Sequence, residues 1–312
     1  MKILITDGLA KEAVEMLKKA GHEVIIDEAS PEKLLQMAGD FESIIVRSRS
    51  KVTSSVIDAG KKLKVIARAG IGVDNIDVKA ASMKGIVVVN APSGSTVSVA
   101  ELAIAHMLSL ARSIPKATAA QKNGQWLKKE LKGTELYEKT LGLIGCGRIG
   151  QATADRARAF GMKVIGFDPA MPAQLLKDLK IEPVTLEELY ARSDVISIHA
   201  NMTPENKNMI NASTFAKMKK GVLIINCARG GFINETDLYN ALKEGKVGGA
   251  GLDVFEAEPP AQSPLFTLDN VSLTPHIGAN TVEGQYRAGV IVAEQVIKVL
   301  SGKQPDFAVK PK

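Results

Sequence analysis

The chain has 312 residues, 45% of them hydrophobic and 24% charged, which is the composition of a globular protein long enough for two domains. Its net charge is +6, but the lysines are scattered and aromatic residues make up only 4%, which disfavours a nucleic-acid surface. No apolar run has the length of a membrane span, and the N-terminus lacks a signal-peptide pattern, so we expect no membrane partner. Cys146 and Cys227 lie in apolar surroundings and predict a cytoplasmic protein without a disulfide framework. No cluster of His, Cys and Asp has the spacing of metal ligands, so we expect no metal site.

Residues 1 to about 92 alternate between predicted strands and helices. The strands are short apolar segments at residues 3–6, 24–26, 43–46, 65–67 and 86–89. Helical crossovers between them predict a small, doubly wound parallel sheet. The loops VRSRSKV and ARAGIGVDNID follow the third and fourth strands and should face a cleft, because open α/β sheets bind ligands beyond the carboxyl ends of their strands. Turn formation explains the glycines of these loops, but not Arg47 and Arg68.

A linker at 92–95 leads into an apolar helix at 97–112, which is followed by a second helix at 116–123. The apolar residues of the first helix cover more than one stripe, which predicts burial on two sides, one of them a subunit interface. His106 lies within this helix. We interpret it as a core or interface histidine rather than a catalytic one.

A glycine motif organises the second half of the chain. Gly145, Gly147 and Gly150 have G-x-G-x-x-G spacing between a buried strand and a helix. The first glycine permits a tight turn, the second lets the backbone approach a diphosphate, and the third lets the helix pack closely on the sheet. The N-terminus of the helix supplies free N–H groups and positive charge to an anion. An ordinary strand–helix turn is the alternative interpretation.

Asp168 strengthens the prediction of a dinucleotide site. It follows the next apolar strand, at the position where a carboxylate accepts hydrogen bonds from the ribose hydroxyls. Its charge would repel a 2′-phosphate, so the sequence predicts NAD rather than NADP.

Further strands at 194–200, 221–227, 248–254 and 271–274 end in distinctive loops. Arg229, Glu258 and His276 lie in the last three of these loops, which parallel strands bring to one rim. A 2-hydroxy acid dehydrogenase needs an arginine for the carboxylate, a histidine to exchange the hydroxyl proton, and a carboxylate to orient the imidazole. Each residue also has a plainer explanation, as a strand cap, a solvated acid or a turn residue. A final helix at 281–300 should precede a frayed polar tail.

The sequences GCGRIG with Asp168, NCARGG, LDVFEAEP and TPHIGA closely resemble the motifs of the D-isomer-specific 2-hydroxyacid dehydrogenases. The resemblance covers nearly the whole chain. It implies that Arg229, Glu258 and His276 are catalytic and that NAD is the cofactor. The implied NAD contacts are Ile71, Gly145, Gly147, Arg148, Ile149, Gly150, Asp168, Ala200, Cys227, Ala228, Arg229, Asp253, His276, Ile277, Gly278 and Ala279.

The resemblance also implies an α/β fold with two doubly wound parallel-sheet domains. A Rossmann NAD-binding domain at 96–280 would be inserted into a flavodoxin-like substrate domain formed by 1–95 and completed by 281–312. Members of the family are usually homodimers built around the helix that matches residues 97–112. The chain ends soon after its last helix, so we expect no regulatory domain of the ACT type and no inhibition by serine through one.

Within the family, VRS, ARAGIGVDNID and NCARGG are most similar to the members that oxidise 3-phosphoglycerate. We therefore expect a phosphorylated hydroxy acid as the small-molecule substrate. The expected substrate-binding residues are Arg47, Ser48, Arg68, Gly70, Ile71 and Arg229. Three alternatives remain: a glyoxylate or hydroxypyruvate reductase, a sensor of NAD(H) without turnover, and arginines that only brace the edge of the sheet or pair with nearby acids.

Overall fold

The first five strands are short apolar segments that form one parallel sheet in the computed structural model, which describes residues 1–311. They are β1 (Lys2–Ile5), β2 (Glu23–Ile26), β3 (Ser43–Val46), β4 (Val65–Arg68) and β5 (Val87–Asn90). Their order is β2-β1-β3-β4-β5, and every pairing is parallel. All four residues of β3 are buried, as expected for a central strand covered on both faces.

Helices cover both faces of this sheet. They are α1 (Lys11–Lys19), α2 (Pro31–Met37), α3 (Ser54–Ala59), α4 (Val78–Met83) and the long C-terminal α12 (Val282–Leu300). Alternate residues of β3 point to opposite faces: Ile45 packs in a cluster with α1 and α12, whereas Ile44 and Val46 pack with α2, α3 and α4.

The segment after α12 is not frayed, so that expectation was wrong. Ala308 forms an antiparallel bridge with Val89 of β5, and the N–H of Val309 donates to the carbonyl of Val88 at 2.8 Å. Asp306 also forms an ion pair with Lys298 of α12. The segment is polar, yet the exposed edge of β5 gives its backbone hydrogen-bond partners.

A second, larger sheet contains the remaining strands. They are β6 (Thr140–Ile144), β7 (Lys163–Phe167), β8 (Glu182–Pro183), β9 (Val195–Ile198), β10 (Val222–Asn226), β11 (Val247–Leu252) and β12 (Val271–Leu273). They are all parallel and lie in the order β12-β11-β10-β9-β6-β7-β8. The strand order reverses at β6, so a crevice opens between the carboxyl ends of β6 and β9, where doubly wound sheets bind ligands. The two-residue β8 is too short to produce a sequence pattern.

Seven helices accompany the second sheet. They are α5 (Thr96–Ala111), α6 (Ile114–Lys122), α7 (Arg148–Ala159), α8 (Ala173–Asp178), α9 (Leu186–Arg192), α10 (Ala212–Lys217) and α11 (Glu235–Lys243). Within residues 1–311, a single helix long and apolar enough to cross a membrane does not occur. Only α5 and α6 together, bent by 65°, meet those criteria. Residues of α5 such as Ala103 and Met107 are buried in the core beside the second sheet.

The chain divides into two compact units. Unit 1 consists of Met1–Ser98 and Ala279–Lys312, and unit 2 of Val99–Gly278. The structure thus confirms the predicted α/β class with two doubly wound parallel sheets. The assignment of substrate binding to the unit with the smaller sheet stays a prediction.

Candidate active site

The glycine loop between β6 and α7 has the shape that a diphosphate requires. Gly145 has a φ of +91°, and a Cβ there would lie 2.6 Å from the backbone nitrogen of Ala200. A Cβ on Gly150 would lie 2.4 Å from the carbonyl oxygen of Gly145. Neither position admits a side chain, so helix and turn approach as closely as their backbones permit.

Gly147 differs from these two glycines, because a Cβ there would meet nothing within 4 Å. It is the N-cap of α7, and no side chain caps that helix end. The first N–H groups of α7 therefore lack an intrahelical partner and lie beside open space at an electropositive helix end. This arrangement fits the diphosphate of a dinucleotide.

Asp168 lies beside the glycine loop, as the sequence predicts. Its carboxylate accepts hydrogen bonds from the N–H groups of Cys146 and Ala170, each at 2.9 Å. Each carboxylate oxygen has a second lone pair, so the group retains acceptors for ribose hydroxyls. These two N–H groups thus fix the Asp168 carboxylate beside the glycine loop.

The loop that carries Arg229 is shaped by Asn226, the last residue of β10. The Asn226 side chain accepts from the N–H of Ala228 at 3.0 Å and donates to the carbonyl of Arg229 at 2.8 Å. A Cβ on Gly230 would lie only 1.7 Å from the carbonyl oxygen of Phe255. This glycine therefore allows the arginine-bearing loop to pack directly against the loop that carries Glu258.

Glu258 and His276 are in direct contact. The Oε2 atom of Glu258 lies 2.6 Å from Nδ1 of His276, and the N–H of Phe255 donates to Oε1 at 3.2 Å. Burial raises the pKa of the Glu258 carboxyl, but His276, the Phe255 N–H and the charge of Arg229 together lower it below its ordinary value. Both side chains remain partly accessible, at 37% for Glu258 and 46% for His276.

The residues 274–278, here called the histidine loop, are held by Asp253, which follows β11. The Asp253 carboxylate is buried and accepts from the Thr274 hydroxyl at 2.6 Å, from the Ile277 N–H at 2.8 Å and from the Gly278 N–H at 2.7 Å. The N–H of His276 donates to the Asp253 carbonyl at 2.8 Å. These bonds hold His276 at a φ of +53°, which a non-glycine residue rarely adopts.

The predicted substrate arginines lie together in unit 1. The Nε of Arg68 donates to the carbonyl of Arg47 at 3.1 Å. A Cβ on Gly70 would lie 2.2 Å from Nη1 of Arg68, so the missing side chain makes room for the guanidinium. Arg47 is half-buried, which lowers the pKa of its guanidinium despite the opposing charge of Asp7. Arg68 therefore braces the backbone at Arg47, which is part of the alternative role predicted for these arginines.

The residues 47–50, here called the arginine loop, are held by two residues that sequence reasoning missed. Asp7 accepts from the N–H groups of Arg47 and Ser50, at 2.7 and 3.0 Å, and from the Ser50 hydroxyl. The amide of Asn75 donates to the carbonyls of Arg47 and Ser50, at 3.1 and 2.6 Å. Asn75 lies in the segment VDNID, whose residue types are common in turns, but nothing in the sequence singles out Asp7.

The remaining predicted contact residues differ in how far their side chains are exposed. Ser48 and Arg148 are exposed and Ile71, Ile149, Ala200 and Ala228 are half-buried, whereas Cys227 is buried in the core of unit 2. Burial and the charge of Asp253 raise the pKa of the Cys227 thiol. Ile277 is 36% exposed. Ile71 and Ala279 belong to unit 1, and the catalytic candidates Arg229, Glu258 and His276 belong to unit 2.

Comparison with known proteins identifies the family. Residues 104–278 match the model of the D-isomer specific 2-hydroxyacid dehydrogenase, NAD binding domain. The chain belongs to this family. Its predicted cofactor, NAD, and the predicted family resemblance are thereby confirmed.

Two similar relatives carry different names. The chain is 52% identical over 310 residues to a D-3-phosphoglycerate dehydrogenase of Methanocaldococcus jannaschii, covering 99% of this chain and 59% of that protein. It is 50% identical over 303 residues to a hydroxypyruvate reductase of Thermotoga maritima, covering 96% of this chain and 98% of that protein. The chain thus spans about three fifths of the first relative and nearly all of the second.

Solved structures show the same architecture. The TT0316 protein from Thermus thermophilus superposes with a TM-score of 0.90 at 35% identity, covering 99% of this chain and 100% of that one. A glyoxylate reductase from Paecilomyes thermophila superposes with a TM-score of 0.90 at 31% identity, covering 99% and 98%. The fold of this chain is therefore also that of a glyoxylate reductase.

Proposed function

We propose that this chain is an NAD-dependent dehydrogenase that oxidises 3-phospho-D-glycerate to 3-phosphohydroxypyruvate, the first step of serine synthesis. The observation that carries the proposal is the 2.6 Å contact between Glu258 and His276, beside the charge of Arg229, in the NAD-binding domain of a 2-hydroxyacid dehydrogenase. A sensor of NAD(H) without turnover has no need of an acid–base pair.

The reaction removes a proton from the substrate hydroxyl and a hydride from the adjacent carbon. NAD, when bound, accepts the hydride. Glu258 accepts the Nδ1–H of His276 and so leaves Nε2 to take the hydroxyl proton, and in the reverse direction to return it. Arg229 binds the substrate carboxylate through parallel hydrogen bonds, which orients the reacting carbon.

The phosphate is the reason for placing substrate binding in the arginine loop as well. Arg229 can neutralise one carboxylate, but 3-phosphoglycerate carries a second anionic group with up to two further charges. Arg47, Ser48 and Arg68 supply charge and a hydroxyl at or just beyond the carboxyl ends of β3 and β4. Gly70 makes room for the Arg68 guanidinium. The M. jannaschii relative, whose name specifies this substrate, supports the proposal.

Hydroxypyruvate reduction is the second candidate. It is supported by the T. maritima relative, a hydroxypyruvate reductase that is 50% identical to this chain over 303 residues. The catalytic chemistry is the same in both cases. The two candidates differ only in whether a phosphate is bound.

The deciding experiment measures NADH oxidation with 3-phosphohydroxypyruvate, hydroxypyruvate and glyoxylate. We expect the highest kcat/KM with the phosphorylated acid. A higher kcat/KM with hydroxypyruvate or glyoxylate would reassign the substrate to the second candidate. Binding of NADH without turnover of any 2-oxo acid would instead support a sensor.

We also infer that the chain uses NAD in preference to NADP, because Asp168 lies where it would face a 2′-phosphate. Asp168→Ser should reduce the preference for NADH over NADPH, because it removes the charge that repels a 2′-phosphate. The measurement is kcat/KM for NADH and NADPH in both proteins. An unmodified protein that prefers NADPH would contradict this inference.

We infer further that the protein is a homodimer that uses α5. Apolar side chains near the start of α5 and at the start of the following α6 are exposed, with Val97 at 40% and Ile114 at 50%. Light scattering coupled to gel filtration should give twice the mass of one chain, and a monomer would refute the inference.

A further inference from the structure

His106 is buried within unit 2, at 2% exposure, although histidine is a costly residue to bury without partners. It projects from α5 onto strand β11, where Gly251 leaves the necessary space. A Cβ on Gly251 would lie 2.6 Å from the Cβ of His106. The imidazole thereby reaches the end of β12 and the start of the histidine loop.

Both ring nitrogens of His106 have partners there. Nδ1 lies 2.8 Å from the hydroxyl of Ser272, the middle residue of β12, and Nε2 lies 3.2 Å from the hydroxyl of Thr274. Thr274 is the first residue of the histidine loop and also contacts Asp253. A single side chain, that of Thr274, thus links His106 to the Asp253 carboxylate that holds the loop.

The directions of these bonds follow from counting protons. The Thr274 hydroxyl has a single proton, and it donates that proton to Oδ1 of Asp253, which also accepts the Ile277 N–H. The Thr274 oxygen must therefore accept from His106, so Nε2 carries the proton. In a neutral imidazole Nδ1 then accepts from Ser272. Burial lowers the pKa of His106 more than the charge of Asp253 raises it, which favours this neutral form.

We propose that His106 is a positioning residue for the histidine loop. Its Nε2–H fixes the Thr274 hydroxyl in the orientation that donates to Asp253. The Asp253 carboxylate thereby holds the loop through this hydroxyl before His276 and through the Ile277 and Gly278 N–H groups after it. The importance of the loop for turnover rests on the proposed function, but the hydrogen-bond chain itself does not. It predicts a tautomer and a local stability that are measurable without substrate.

The first test is the tautomer. In the ¹⁵N NMR spectrum at neutral pH, His106 should show a protonated Nε2 and an unprotonated Nδ1, and its signals are identified by their loss in His106→Gln. A proton on Nδ1, or a doubly protonated ring, would overturn the proposal.

The second test separates positioning from packing. His106→Gln retains an N–H near the position of Nε2, whereas His106→Leu fills the space without a donor. We expect faster hydrogen exchange at the Ile277 and Gly278 amides in the leucine variant and near-parent exchange in the glutamine variant. Equal exchange in parent and leucine variant, in a protein that still folds by circular dichroism, would refute the positioning role.

The third test concerns turnover. His106→Leu should lower kcat about threefold to tenfold, as expected for the loss of one neutral hydrogen bond, with little change in KM for NADH. In a Thr274→Val background the same change should lower kcat no further, since His106 acts through the Thr274 hydroxyl. Additive losses would contradict that route. A parent without activity would refute the proposed function and leave the first two tests intact.

Discussion

The histidine loop and the arginine loop belong to different units, yet each is held by one aspartate that follows a neighbouring strand and has a buried side chain. Asp253 follows β11 and binds the loop after β12, whereas Asp7 follows β1 and binds the loop after β3. Each carboxylate accepts two backbone N–H groups and one hydroxyl. The same local arrangement therefore shapes both the loop that carries His276 and the loop that carries Arg47.

The two loops differ in what else surrounds the aspartate. Asp7 faces the guanidinium of Arg49, whose Nε lies 3.5 Å from its Oδ1. Asp253 instead receives the Thr274 hydroxyl, which His106 supports. The arginine loop is thus held partly by charge, whereas the contacts described around Asp253 are neutral hydrogen-bond donors. Removing the carboxylate charge of the aspartate should therefore affect the two loops differently.

The largest effect should come from the histidine loop itself. His276→Asn should lower kcat by about 10²–10⁴-fold, because the group that exchanges the proton is lost. Steady-state oxidation of NADH by the preferred 2-oxo acid measures it. His22→Asn, at the turn after α1, is the control and should leave kcat unchanged. A loss of less than tenfold would remove His276 from the reaction.

The two aspartates provide the most direct comparison. Asp253→Asn should lower kcat by about a hundredfold, since hydrogen bonds to a charged acceptor are worth about 1.5–3 kcal/mol each and one amide N–H would oppose a backbone donor. Asp7→Asn should instead raise KM for the phosphorylated substrate with a smaller change in kcat. If both variants alter the same kinetic parameter, the proposed division of roles between the two loops is wrong.

Removing one arginine should mainly affect the reaction of the phosphorylated substrate. Arg47→Ala and Arg68→Ala should each lower kcat/KM for 3-phosphohydroxypyruvate about tenfold more than for hydroxypyruvate, through the loss of a charged hydrogen bond. Arg192→Ala, which removes a surface arginine paired with Glu182, is the matched control. Equal losses on both substrates would mean that the arginines only brace the loop.

The smallest effect concerns acid stability. Burial raises the pKa of Asp7, but hydrogen bonds from Ser50 and Arg47 and the charge of Arg49 lower it below its ordinary value. Its contribution to the free energy of unfolding is therefore present above about pH 4 and is lost as the pH falls through the lowered pKa. Urea unfolding at pH 5 and pH 3 should show a smaller acid-dependent loss in Asp7→Asn than in the parent. An equal loss would assign the acid sensitivity to other groups.

The sequence alone determined the parallel-sheet class and the glycine loop, and it singled out Arg229, Glu258 and His276 as candidates. Short-range patterns encode these features: apolar segments of strand length, glycines at fixed spacing, and polar residues directly after strands. Parallel strands place all their carboxyl ends at one edge, so a residue's position after a strand is enough to predict the rim on which it lies.

The tertiary structure decided which groups hold those residues in place. Asp7 acts on residues 40 and 43 positions away, and His106 on residues 166 and 168 positions away. The antiparallel bridge between Ala308 and Val89 of β5 joins residues that are still farther apart in sequence. No local periodicity reports such contacts, because a buried polar group is satisfied by whichever donor or acceptor folding brings to it, and only the packed chain specifies that partner.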